Sequence, residues 1–157
     1  MVAPLDSEKQ KIFSVKEANA ALPLVRAIVA DLARVSQEVT ERRHRLSVLL
    51  NRRGPEPRGP YAEELAQIQE ELDKDVDRLQ EFVAELHHLG VEPKSASEGL
   101  VDFPAIIDGR MAYLCWKLGE PEIQFWHEIS AGFQGRQPLT AVGPQPQLLS
   151  DSTTKGL

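Results

Sequence analysis

LVDFPAIIDGRMAYLCWKL, residues 100–118, decides how this chain folds. Two β-prone runs flank Asp108-Gly109, a dipeptide that supplies the positive φ angles of a two-residue type I′ turn. The turn predicts an antiparallel hairpin and sets its register. Ile107 faces Arg110, Ala105 faces Ala112, Phe103 faces Leu114, Asp102 faces Cys115 and Val101 faces Trp116. Pro104 has no N–H to give a ladder, so its strand lies at an edge or carries a bulge there. EIQFWHEI, residues 122–129, alternates again after a turn at Gly119-Glu120-Pro121. A connection of two or four residues puts Trp116 opposite Phe125 and Leu114 opposite His127. Period-2 geometry then sorts two faces. Val101, Phe103, Leu114, Trp116, Ile123, Phe125 and His127 form an apolar face. Asp102, Tyr113, Cys115, Lys117, Gln124, Trp126 and Glu128 form a mixed face, the better place for a ligand. One bulge would invert part of this assignment.

Upstream of the hairpin the period changes to that of a helix. Ser14-Val15-Lys16-Glu17 has the spacing of a capping box. Apolar residues follow at Leu22, Val25, Val29, Leu32, Val39, Leu46 and Leu50. Ser36 and Arg43 complete a heptad seam, which Ile28, Val35 and Leu49 widen. Pro23 interrupts or restarts this helix, and RRGPEPRGP at 52–60 ends it. A second helix starts near Pro60, with Glu63 and Glu64 in its first turn. Its seam runs through Leu65, Ile68, Leu72, Val76, Leu79, Val83, Leu86 and Leu89, and Gly90-Val91 closes it as a Schellman motif. Residues 41–53 hold five arginines against one glutamate, and residues 63–77 hold seven acids against one lysine. An antiparallel pairing sets these segments side by side, which accounts for the arginine run without nucleic acid. Helices of about 45 Å cannot bury such stripes on each other alone. The surplus calls for either a covering sheet or, in part, a second copy forming a four-helix bundle, and a homodimer is expected.

The chain has 157 residues, enough for one domain with a modest core. A net charge of −6 gives no general electrostatic reason to bind nucleic acid or anionic membrane. The polar start, MVAPLDSEKQKIF, lacks the apolar centre of a signal peptide. One cysteine, Cys115, allows neither an intramolecular disulfide nor a cysteine-rich zinc site. A cytoplasmic protein is the expectation.

Chemistry-bearing residues concentrate in GEPEIQFWHEISAGFQGRQPL, residues 119–139. His127 reads as a general base or metal ligand near Glu120, Glu122 and Glu128, or as a buried histidine hydrogen-bonded within the core. His87-His88 suits a helix C-terminus, since neighbours on a helix point about 100° apart and cannot readily share one metal. Glu120-Pro121-Glu122 presents two carboxylates that could hold a cation or divide into acid and base, and charged turn residues are also ordinary. Asp102 opposite Cys115 disfavours a thiolate, so Cys115 reads as a packed strand residue. The Gly132–Gly135 loop and Arg136 suit a carboxylate or phosphate, or an internal bridge to Glu120 or Glu122.

FSVKEAN and LP within 13–23, GLVDFP at 99–104, YLCWKLGEPEI at 113–123, WH at 126–127 and GFQGRQPL at 132–139 carry a resemblance. Over about residues 12–139 the chain resembles the bacterial family filed as "domain of unknown function 2203". The resemblance implies a long helical region followed by a compact segment bearing these motifs, and it transfers no activity and no catalytic role.

An α+β fold follows: a long, coiled-coil-like antiparallel two-helix hairpin, then a small antiparallel β-meander, dimerising through the helices. Residues 1–12 read as a flexible N-terminus, 13–139 as one domain and 140–157 as a disordered tail. Within the domain, the hairpin covers about 14–90 and the sheet with its Gly-Arg loop about 100–139. The expected function is a non-enzymatic module binding a small anion or a partner protein through Arg136, Trp126, Glu120, Glu122, Tyr113 and Lys117. The alternative is a metal-assisted hydrolase using Glu120, Glu122, His127 and Glu128, its divalent metal held by His127, Glu122 and Glu128.

Overall fold

Ser14 and Glu17 cap each other as their spacing demands. The Glu17 N–H donates to Ser14 Oγ and the Ser14 N–H to Glu17 Oε1, both at 3.0 Å. Helix α1 (Val15–Arg53) runs from this box through Pro23 as one element, so the interruption expected at that proline does not occur. Helix α2 (Pro60–His88) returns antiparallel to it and ends in the predicted Schellman pattern. Gly90 donates to His87 O and Val91 to Leu86 O, with Val91 and Leu86 both fully buried. The computed structural model describes residues 10–53 and 59–139. Of the N-terminus expected to be flexible (1–12), residues 1–9 lie outside the described residues, as do residues 54–58 of the connecting loop and the tail expected at 140–157.

The buried stripe of α1 departs from a strict heptad. Val25, Val29 and Leu32 are followed by Val35 and Val39, and then by the half-buried Leu46 and Leu49. Arg43 and Leu50, placed on the seam by sequence spacing, are exposed. A straight helix drifts about 20° per heptad, which moves the contact line back by one residue. The same drift puts Asp75, rather than Val76, on the buried line of α2, where it is 5% exposed and paired with Arg42. Arg42 also meets Glu71 at 3.1 Å, so part of the predicted charge match is in contact.

Five strands follow as an antiparallel meander in sequence order: β1 (Glu92–Ser95), β2 (Leu100–Ile107), β3 (Arg110–Lys117), β4 (Phe125–Glu128) and β5 (Gln137–Pro138). Strands β1 and β5 have no period-2 signature long enough to announce them. Asp108 and Gly109 adopt φ of 55° and 79°, and the β2–β3 register matches the prediction at all five pairs. Pro104 lies beyond the reach of β1, and its carbonyl accepts the Phe13 N–H at 2.7 Å. That half of β2 is therefore an edge, as proline requires.

The β3–β4 register overturns the predicted one. Leu114 faces Trp126, Tyr113 faces His127 and Cys115 faces Phe125. An odd connection, residues 118–124, replaces the two- or four-residue turn, and every side chain of β4 changes face. Helix α1 holds this loop open. Asn19 Oδ1 accepts the Ile123 N–H at 2.8 Å, and Arg26 donates to Pro121 O at 3.1 Å. Glu120 Oε1 takes the Lys117 N–H at 3.0 Å, a bond the ladder would otherwise have continued through.

Trp126 consequently joins Val101, Phe103, Leu114 and Trp116 on the face packed against α1 and α2. His127 and Phe125 turn to the opposite face, beside Asp102, Tyr113, Cys115 and Lys117. No helix among the described residues is long and apolar enough to cross a membrane.

Candidate functional site

The outer face of the sheet is a second, polar interior. Residues 129–136 fold over it after β4, and their 3₁₀ turn (Phe133–Gly135) brings Phe133 and Arg136 down onto the strands. Arg136 is clamped. Its Nη1 and Nη2 donate to Glu120 Oε2 and Oε1 at 2.7 and 3.0 Å, and Nη2 also meets Cys115 O at 3.3 Å. Its guanidinium lies 4.0 Å from the Phe125 ring centre and 4.6 Å from that of Phe133. Burial alone would lower the Arg136 pKa, but the bonds and charge of Glu120 outweigh it and the net direction is upward. Of the two sequence readings of this arginine, the geometry has the internal bridge, and Glu120 is spent on it.

Beside this clamp, His127 of β4 and Asp102 of β2 form a buried pair that spans β3, each side chain 3% exposed. His127 Nδ1 lies 2.7 Å from the Glu128 carbonyl oxygen, which can only accept, so Nδ1 carries a hydrogen. His127 Nε2 lies 3.0 Å from Asp102 Oδ2, a contact that needs one proton. Whichever atom holds that proton, the pair as a whole is neutral. Burial raises the Asp102 pKa, opposed by the His127 charge and hydrogen bond. Asp102 Oδ1 is buried and has no hydrogen-bond partner. Such an atom costs about 1–3 kcal/mol and calls for an explanation.

Cys115 sits directly opposite Asp102 with no exposure. Burial, then the Asp102 charge, push its thiol up to about 12. That agrees with the packed-cysteine reading and leaves no thiolate nucleophile at neutral pH. Asp102, Cys115 and His127 each offer a donor atom within 4.8 Å of the others, and no other trio of His, Cys, Asp or Glu does so among the described residues.

A cavity of about 200 Å³ opens beside the pair, lined by Lys94, Tyr113, His127, Ile129, Gly132 and Phe133 among others. The Tyr113 ring lies 5.5 Å from that of His127, and burial raises its phenol pKa. The Lys94 ammonium stands 5.6 Å above Tyr113, and that of Lys117 stands 5.5 Å above Phe133. Lys94 shares its charge with Glu92 at 3.4 Å, while Lys117 makes no ion pair among the described residues.

The remaining sequence candidates disperse. Glu122 is exposed on the 118–124 loop, Glu128 pairs with Arg110 at 3.3 Å, and Trp126 is buried on the helix side. The structure therefore does not bring His127, Glu122 and Glu128 together as ligands. His87 and His88 are exposed at the end of α2. Asp102, Lys94, Phe125 and Phe133 were missed as site residues. Only the β4 parity hid the grouping of Asp102 with His127, since the Asp102–Cys115 register was legible.

These features define an α+β protein in which a two-helix hairpin covers one face of a five-stranded meander and a Gly-Arg loop covers a polar cluster on the other. A family model described as "Uncharacterized conserved protein (DUF2203)" matches residues 11–139, and the chain belongs to that family. No curated protein and no solved structure matches the chain.

Proposed function

We propose that the protein is a non-enzymatic binding module and that its ligand is a small anion seated in the outer-face cavity. The observation that carries this reading is the Lys94 ammonium over Tyr113 in the cavity wall, with a second ammonium, that of Lys117, over the ring of Phe133, which also lines the cavity. Aromatic walls with a few charged groups are the usual make-up of a small-ligand site. Acid/base chemistry finds little support. Both nitrogens of His127 are engaged, Cys115 is buried and protonated, Glu120 is held by Arg136, and Glu122 and Glu128 lie apart.

The test is a thermal-shift and calorimetric screen with phosphate, sulfate, small dicarboxylates and nucleoside monophosphates. Wild-type protein binds at least one of these, and a Lys94→Ala/Lys117→Ala variant with unchanged circular dichroism loses at least tenfold in affinity. Binding by no member of the screen, or equal binding by the double variant, refutes the reading.

In the same reading the module is a homodimer paired through its helices. Leu24 is 54% exposed on α1 and, with Ile28, Ala84 and Leu89, lines an apolar groove of about 400 Å³. Light scattering should then give twice the 17.5 kDa of one chain, and Leu24→Glu should halve it. A monomeric wild type removes this part.

A further inference from the structure

We propose that Asp102, Cys115 and His127 form a binding site for one divalent transition-metal ion of the zinc class. The proposal stands on these three donors alone and does not depend on the anion reading. One carboxylate oxygen, one sulfur and one imidazole nitrogen lie within 4.8 Å of one another, a spread that a tetrahedral ion with bonds of about 2.0–2.3 Å draws together by small side-chain shifts.

Three further observations point to a cation. Asp102 Oδ1 is buried with no partner in full hydrogen-bond geometry, the weak thiol contact of this carboxylate being with Cys115, itself one of the three donors. His127 is oriented as metal-binding histidines usually are: Nδ1–H donates to a backbone carbonyl and Nε2 turns to the other donors. Charge also balances. Without metal, the His127–Asp102 pair holds one proton and Cys115 another, and the trio is neutral. A divalent ion displaces both protons, to bulk water, and meets one carboxylate, one thiolate and a neutral imidazole. The site is neutral again, which a buried position requires. Burial holds the thiol proton only until a cation arrives, because a coordinating thiol is deprotonated outright. Three protein donors leave one tetrahedral position, and the cavity lined by Asp102 and His127 is where it would be filled.

Cobalt(II) supplies the test, because a cobalt–thiolate bond gives a charge-transfer band in the near ultraviolet and this chain has a single cysteine. Untagged full-length protein, stripped with chelator, is titrated with cobalt(II) and then with zinc(II). The expected result is one cobalt per chain with that band, its loss on adding zinc, and a higher melting temperature with either ion. Cys115→Ser abolishes the band, and Asp102→Asn weakens cobalt binding at least tenfold. Wild-type protein with no charge-transfer band at saturating cobalt overturns the proposal, whatever the variants do. Cobalt bound without the band places the ion elsewhere and overturns it equally.

Discussion

In Glu120→Ala the Arg136 guanidinium loses two bonds of 2.7 and 3.0 Å, and the Lys117 N–H loses its acceptor at 3.0 Å. The cation stays between Phe125 and Phe133, where its Nε is already buried without a partner. Breaking a buried ion pair from one side costs about 3–5 kcal/mol. These side chains are 14% and 19% exposed, so solvent softens the loss and the low end, about 3 kcal/mol, applies. Arg136→Ala leaves Glu120 its Lys117 bond and a route to water, and should cost about 2 kcal/mol. The double variant has no stranded charge, so the cycle should show a coupling of about 2 kcal/mol. Urea denaturation reads this directly: at about 2 kcal/mol per molar, Glu120→Ala lowers the midpoint by roughly 1.5 M. A loss under about 1 kcal/mol with no coupling would mean that the pair behaves as a surface bridge. Arg136 would then be available to an outside anion, and the clamp reading would fail.

Three further outcomes are expected. Gly99→Ala should cost about 2–4 kcal/mol in thermal or urea unfolding, since φ is +70° and a Cβ would stand 2.6 Å from Leu118 Cβ; a loss within 0.5 kcal/mol contradicts this. Asn19→Ala leaves the Ile123 N–H without its acceptor and should cost about 1–2 kcal/mol, with hydrogen exchange faster in the 118–124 loop than elsewhere; unchanged loop exchange would show that Asn19 does not hold the connection open. The buried thiol makes stability fall at high pH. The folded state keeps the Cys115 proton up to about 12, whereas the unfolded chain releases it from about 9. Stability is thus lost as pH rises through that window, by about 1 kcal/mol at pH 10. Cys115→Ala should remove that share of the alkaline slope, and identical slopes in both proteins would refute the assignment.

The elements themselves were legible. Ser14 with Glu17, Gly90 with Val91 and Asp108 with Gly109 each specify a local geometry through bonds between residues at most five apart, and all three formed as read. The site was half legible. Asp102 opposite Cys115 followed from the turn, but His127 was assigned to the wrong face because the β3–β4 connection was taken to be even. Arg136 had two open partners in sequence, and Phe125 and Phe133 gave no sign of enclosing it.

The sequence by itself determined the two helices, the β2–β3 register and the meander order of β2, β3 and β4. Period and turn chemistry are short-range properties, carried by residues that must meet whatever the rest of the chain does. Only the tertiary structure decided the parity of β4. Asn19 and Arg26, about a hundred residues away on α1, hold the 118–124 loop through side-chain bonds that no local pattern encodes. That long-range hold turns Trp126 into the core and His127 to Asp102, and so creates the polar cluster on which the function of this protein is proposed to rest.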